Sequence, residues 1–147
     1  IPVGREWPED APFTAEYGAT NELGSIIVVV ATDAPLLPTQ LKRIARRAAM
    51  GIARTGGMAG NGSGDIFLAF STANAPAANA VEGLQQAAFL PNDQLDGLFE
   101  ATVLATEEAI VNALVAARTM TGIDGHSLVA IDHSRLQQIL RHYKRLE

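Results

Sequence analysis

The chain has 147 residues, of which 48% are hydrophobic and 18% are charged, as expected for one folded domain rather than a disordered segment. Its net charge of −5 argues against a nucleic-acid-binding protein, because such proteins usually carry a basic surface. The chain lacks cysteine, which excludes disulfides and thiolate chemistry, and it has no apolar run long enough to span a membrane. It begins with Ile1, so we expect a processed chain or a piece of a longer precursor, from either the cytoplasm or the periplasm.

The first predicted element is a strand over residues 25–33, which follows a tail rich in proline and acidic residues. Residues 1–24 contain three prolines and no apolar periodicity, which predicts a loop or tail. From Ile26 to Val30 every residue is β-branched, and such side chains favour an extended backbone. Because no polar residue alternates with them, we expect both faces of this strand to be buried. Ser25 then stands at the start of a buried strand, directly after a flexible glycine.

A helix, a glycine-rich loop and a second strand are predicted next. Apolar residues recur at helical spacing over residues 40–54, with Thr39 as the expected N-cap. Five basic side chains lie largely on the opposite face of this helix, which we expect to be solvated or to contact another subunit. Residues 55–65 contain five glycines and predict a loop, and the apolar residues 66–72 predict the second strand.

The second half of the chain is expected to be dominated by one long helix. Its predicted elements are, in order, a loop over residues 73–83, a short strand within residues 84–90, a helix over residues 93–119 capped by Asp93, a strand over residues 126–131 and a last helix capped by Ser134. This order of strands and helices is typical of a layered domain that mixes α and β structure.

The glycine-rich loop does not match a nucleotide-binding loop. A phosphate-binding loop follows a strand and opens a helix, so that the phosphate meets the helix N-terminus. Here the loop follows a helix and opens a strand, and it has no Gly-Lys-Ser/Thr sequence. Asn61, Ser63 and Asp65 alternate along the approach to the second strand, so their side chains can point the same way. We interpret these three residues as a small polar cluster directed at one site.

The histidines do not predict a metal centre, and the sequence predicts no cofactor. His126, His133 and His142 match no common zinc-ligand spacing, and there is no cysteine to complete a set. The nucleophile-elbow sequence Gly-x-Ser-x-Gly is also absent. His133 as a member of a Ser-His-acid triad stays open at this point.

Ser25 allows two interpretations. It simply begins a strand, or it is the site at which the chain cuts itself. In the second case the Ser25 hydroxyl attacks the carbonyl of Gly24, and water hydrolyses the resulting ester. The new chain then starts at Ser25 with a free α-amine, which titrates near pH 8 and can accept the hydroxyl proton. An N-terminal nucleophile activated by its own amine needs neither histidine nor cysteine.

Three separated blocks of sequence resemble a known family. They are residues 24–36, residues 60–65 and residues 89–95, and they occur in the same order in the self-processing serine aminopeptidases. That family includes L-aminopeptidase/D-esterase and the β-peptidyl aminopeptidases, and the resemblance spans roughly residues 22–125. It implies an α+β fold, a four-layer αββα sandwich similar to that of the N-terminal nucleophile hydrolases and the ornithine acetyltransferases.

The resemblance also implies the division of the chain and the roles of its residues. Residues 1–24 would be a linker or the C-terminal tail of a larger first chain, and residues 25–147 the catalytic portion of a second chain, separated by autocleavage between Gly24 and Ser25. Ser25 would be the nucleophile, Ser63 would hydrogen-bond near its amine or hydroxyl, and Asp65 would be the acid that orients this network. The oxyanion donors of the family lie in the first chain.

The function implied is an aminopeptidase that removes N-terminal residues from peptides, amides or esters through an acyl-enzyme on Ser25. Acyl transfer of the ornithine acetyltransferase type and a non-catalytic binding or scaffold subunit are the alternatives. The expected partners are the first chain of the same precursor, a small peptide, amide or ester substrate, and further copies in a tetramer of two-chain units. Neither a nucleic acid nor a membrane is an expected partner.

Overall fold

The computed structural model describes residues 24–146. Two six-residue strands, β1 (Ile27–Thr32) and β2 (Ile66–Ser71), pair in parallel, with Ile27 opposite Ile66 and Thr32 opposite Ser71. Both strands were predicted, β1 from its run of β-branched residues and β2 from its apolar sequence, and β1 begins two residues later than expected. The predicted tail lies outside the described residues apart from Gly24.

Within the described part of the chain, only one face of this sheet is covered, so the prediction that both faces of β1 are buried is wrong there. Burial alternates along both strands: Ile27 and Leu68 remain 71% and 56% exposed, whereas Val30 and Ala69 pack against the core. The exposed side is apolar throughout. We call it the open sheet face, and it comprises Ile27, Val29, Ile66, Leu68 and Phe70.

Two short helices replace the single helix predicted over residues 40–54. They are α1 (Pro38–Ala45) and α2 (Ala48–Arg54), and the chain turns between them. The predicted cap at Thr39 is wrong, because α1 already begins at Pro38, whose missing N–H costs nothing at the first helical position. The Gln40 side chain instead accepts a hydrogen bond from the Leu37 N–H at 2.9 Å.

A four-residue helix, α3 (Ala75–Ala78), follows β2, and no strand forms within residues 84–90, contrary to the prediction. The long helix α4 (Asp96–Ala116) begins after a 3-10 turn, Asn92–Gln94, so Asp93 belongs to that turn and is not the N-cap. The core forms where α1 and the start of α4 meet the covered side of the sheet, and its most buried side chains are those of Leu36, Ile44 and Leu95.

Helices α2 and α4 approach each other closely because a glycine faces a threonine. A Cβ added to Gly51 would lie 2.6 Å from the Cβ of Thr106, so no larger residue fits without movement. The hydroxyls of Thr102 and Thr106 are buried, and each donates to a carbonyl one turn earlier in α4, at 2.7 and 2.8 Å. The polar atoms in this contact are therefore satisfied within the helix itself.

The chain ends in a small hairpin and a helix. Strands β3 (Met120–Thr121) and β4 (Ser127–Leu128) pair antiparallel, and the predicted strand over residues 126–131 is reduced to those two residues of β4. Helix α5 (His133–His142) is capped by Asp132, which accepts from two N–H groups, and not by Ser134 as predicted. No helix of the described chain is both long enough and apolar enough to cross a bilayer.

Candidate active site

The parallel pairing of β1 and β2 brings the predicted site residues together. Parallel strands begin at the same edge of a sheet, so the residues that precede β1 lie beside those that precede β2. The Ile66 N–H donates to the Ile26 carbonyl oxygen at 2.9 Å, which extends this pairing towards Ser25. Ser63 and Asp65 follow Ser25 by 38 and 40 positions in sequence, yet the three residues share one edge of the sheet.

Two hydrogen bonds join the residues just before β1 to the segment before β2, and a third lies within that segment. The Gly64 N–H donates to the Ser25 Oγ at 2.9 Å, and the Ile26 N–H donates to the Asp65 Oδ1 at 3.1 Å. The Ser63 hydroxyl donates to the same Asp65 oxygen at 2.6 Å. The carboxylate thus holds the backbone directly after Ser25, while the neighbouring amide contacts the Ser25 hydroxyl oxygen. We call residues 63–65 the clamp.

The end of the glycine-rich loop gives the clamp its shape. The Ser63 N–H donates to the Gly60 carbonyl oxygen at 2.9 Å, which closes a tight turn just before the clamp. After this turn the backbone extends into β2, so Ser63 and Asp65 are both half-buried on the same side. Asn61 was predicted to join them, but it is exposed and makes no hydrogen bond to Ser63 or Asp65 in the described structure.

The bond between Gly24 and Ser25 is accessible. Both residues are exposed, and a Cβ added to Gly24 would meet no described atom within 4 Å. A nucleophile that must accept an incoming substrate needs this access. Ser63 and Asp65 also line a cavity of about 460 Å³, together with Ile52, Met58 and Phe67. Ser25 is not among the residues that line it.

The structure does not place His133 with this cluster. Its Nε2 lies 2.9 Å from the carbonyl oxygen of Val115, near the end of α4. Through this hydrogen bond His133 links α5 to the end of α4, which argues against its membership in a Ser-His-acid triad. Among residues 24–146 there is no group of three or more histidine, aspartate or glutamate side chains arranged to hold a metal ion.

Two contacts of the site could not be found from residue types. The donors to the Ser25 Oγ and to Asp65 are the main-chain N–H groups of Gly64 and Ile26, which every residue except proline carries. The only sequence signal for them is the parallel alignment of the two strands, which sets the residues before each strand side by side.

The model of peptidase family S58 matches residues 1–128. The chain belongs to this family. The β-peptidyl aminopeptidase BapA of Sphingosinicella microcystinivorans is 54% identical over 154 residues, covering 99% of this chain and 39% of that protein. The BapA of Sphingosinicella xenopeptidilytica is 40% identical over 152 residues, covering 96% of this chain and 37% of that protein. The chain therefore spans less than two-fifths of the length of these S58 relatives.

Solved structures of S58-like proteins agree with this assignment. The L-aminopeptidase D-Ala-esterase/amidase of Ochrobactrum anthropi, described as a variant of the Ntn hydrolase fold, has a TM-score of 0.76 and 49% identity, covering 84% of this chain and 35% of that one. A β-aminopeptidase of a Burkholderia species has a TM-score of 0.72 and 44% sequence identity. The match covers 83% of this chain and 36% of the Burkholderia chain. The predicted fold class is confirmed: this S58 chain forms part of the αββα sandwich of Ntn type.

Proposed function

We propose that the protein is a self-processing serine aminopeptidase, which hydrolyses N-terminal residues from peptides, amides or esters through an acyl-enzyme on Ser25. The observation that carries this proposal is the clamp: Gly64 contacts the Ser25 Oγ, and Asp65 fixes the adjacent Ile26 N–H. Membership of family S58 and the names of the relatives, which are aminopeptidases, support the same chemistry.

The first reaction is the cleavage of the chain itself. The Ser25 Oγ attacks the carbonyl carbon of Gly24, the C–N bond breaks, and the nitrogen takes up a proton as the new α-amine. Gly24 is then held as an ester on the Ser25 oxygen. Water attacks this ester and releases the Gly24 carboxylate together with the free Ser25 hydroxyl. The accessibility of both residues fits this sequence of steps.

The second reaction is turnover of substrate by the new N-terminus. The α-amine of Ser25 accepts the hydroxyl proton as the Oγ attacks the substrate carbonyl, and it returns the proton to the leaving group. Water then hydrolyses the acyl-enzyme. Asp65 keeps the backbone after Ser25 in place through the Ile26 N–H, and Ser63 orients the carboxylate by donating to the same oxygen. In this scheme Ser63 and Asp65 position the nucleophile.

The rest of the catalytic unit is proposed to come from a first chain and from further copies. We assign residues 1–24 to the linker or tail that ends the first chain and residues 25–147 to the second chain. The oxyanion donors would belong to the first chain. A second sheet, formed with the first chain, would cover the open sheet face. There Ile27 and Leu68, which are 71% and 56% exposed, would each gain part of the about 1.5–3 kcal/mol that complete burial of such a side chain contributes. Assembly of these two-chain units into a tetramer is part of the same proposal.

Mass measurement of the full-length protein before and after incubation tests this proposal. We expect two fragments, the smaller of which begins at Ser25 on N-terminal sequencing. Ser25→Ala should leave the chain uncut and inactive towards amino-acid p-nitroanilides, while the control Ser134→Ala, at an exposed serine of α5, should process and turn over normally. Normal processing and turnover by Ser25→Ala would refute the mechanism. Acetyl transfer from acetylornithine without p-nitroanilide hydrolysis would favour the acyltransferase alternative.

A further inference from the structure

The Ser25 hydroxyl has one hydrogen-bond partner among residues 24–146, and that partner is a main-chain amide. The Gly64 N–H donates to the Ser25 Oγ at 2.9 Å. We propose that this N–H is a positioning and activating group for the nucleophile, acting on its oxygen in both self-cleavage and turnover. This inference rests on the proposed function of Ser25 as the nucleophile.

The chemistry of a hydroxyl explains what such a donor does. The oxygen has two lone pairs and one O–H bond. Donation from Gly64 occupies one lone pair, which leaves the second lone pair for attack on a carbonyl and turns the O–H away from the amide. As the proton leaves, negative charge develops on the Oγ, and a hydrogen bond to a charged acceptor is stronger than one to a neutral acceptor. The N–H therefore stabilises the transition state more than the resting hydroxyl.

The clamp holds this amide in place from both sides. Ser63 and Asp65, which flank Gly64, are hydrogen-bonded to each other, and Asp65 is also tied to the Ile26 N–H next to Ser25. The donor and the acceptor thus belong to two backbone segments that are fixed to one another, so little reorganisation is needed as charge develops.

The site does not require a glycine at position 64. Gly64 does not have a positive φ, and a Cβ added to it would lie 3.4 Å from the Ser25 Oγ, an ordinary van der Waals separation. Alanine therefore fits at this position and keeps the N–H. This provides a matched control, because a variant can remove the N–H or add a methyl group independently.

The decisive variant replaces the Gly64 N–H by an ester oxygen, through incorporation of glycolic acid at position 64 of the full-length protein. We expect the self-cleavage rate and kcat each to fall roughly 10- to 100-fold, as for the loss of a hydrogen bond to a charged acceptor, with KM changed less than about threefold. Gly64→Pro, which also lacks the N–H, should reproduce the fall in kcat, and Gly64→Ala, which keeps the N–H, should lose clearly less kcat than the ester variant. Circular dichroism and thermal melting of each variant verify that it is folded.

Each outcome separates this inference from the proposed function. If the ester variant processes and turns over at the normal rate while Ser25→Ala is inactive, Ser25 is the nucleophile but the Gly64 N–H does not assist it. If Gly64→Ala loses as much activity as the ester variant, space and not the N–H is what matters, and the inference is wrong. If Ser25→Ala itself remains active, the proposed function fails, and the role of Gly64 fails with it.

Discussion

The two ends of the β1–β2 sheet use serine in opposite ways. Where the strands finish, the Ser71 Oγ donates to the Ala34 carbonyl oxygen at 2.6 Å and accepts from the Ala73 N–H at 3.2 Å, so both its proton and its oxygen are engaged. Where the strands start, the Ser25 Oγ only accepts, from the Gly64 N–H, and no acceptor for its proton lies among the described residues. Ser71 closes a loop, whereas Ser25 keeps its proton available for transfer.

This comparison shows how a structural hydroxyl differs from a reactive one. A hydroxyl that donates to a backbone carbonyl loses that hydrogen bond if it gives up its proton. A hydroxyl that only accepts from an amide is stabilised further as its charge develops. The direction of the hydrogen bond therefore distinguishes the two serines better than their position at a strand end or their exposure. Variants at the two ends of the sheet test this distinction.

The largest effect is expected at Ser25. Ser25→Ala should lower kcat/KM by at least about 10³-fold, since it removes the group that forms the acyl-enzyme. Its melting temperature should stay within a few degrees of the parent, because the side chain is exposed. Steady-state hydrolysis of a β-amino-acid p-nitroanilide together with a thermal melt measures both quantities. A large fall in melting temperature would mean that Ser25 is structural, as Ser71 is.

A smaller loss is expected at Asp65, which holds the start of β1. Asp65→Ala frees the Ile26 N–H and the Ser63 hydroxyl, and a displacement of about 1 Å at a reacting group can cost roughly 10²-fold in rate. Asp65→Asn keeps an oxygen acceptor for both donors and should retain clearly more activity than Asp65→Ala. Equal losses in kcat for the two variants would show that the negative charge matters and the orientation does not.

The effect at Ser63 should be smaller again. Ser63→Ala removes one hydrogen bond to the carboxylate but leaves the Ile26 N–H in contact with Asp65, so we expect kcat to fall about tenfold. Ser63→Thr keeps the hydroxyl and is the matched control, with kcat expected close to the parent value. A loss of kcat in Ser63→Ala as large as that in Asp65→Ala would contradict this order, because it would place Ser63 in the reaction itself.

The sequence was sufficient to predict both strands and to identify the polar side chains that precede them. A run of β-branched residues predicted β1, and alternate polar residues before β2 singled out Ser63 and Asp65. Their proximity to Ser25 follows from the parallel pairing. The roles given to these three side chains remain predictions, which the variants of Ser25, Ser63 and Asp65 test.

The remaining features depend on atoms and contacts that residue types do not encode. The amides of Gly64 and Ile26 are main-chain groups, so no pattern of side chains marks them as donors. The break between α1 and α2 occurs within a run that still has helical spacing, so periodicity predicted one continuous helix. The exposure of the open sheet face could not be predicted either, because a strand sequence does not specify which parts of a protein cover each face.

The smallest effect is expected for Ser71→Ala, at the end of the sheet where both strands finish. Ser71→Ala removes a hydrogen bond to Ala34 and leaves that carbonyl without the donor, which should lower the free energy of unfolding by about 1 kcal/mol. The clamp does not contact Ser71, so kcat and KM should match the parent. Denaturant unfolding and the p-nitroanilide assay on the same preparation measure the two effects. A loss of turnover without a loss of stability would show that the direction of a hydroxyl's hydrogen bond does not separate reactive from structural serines in this fold.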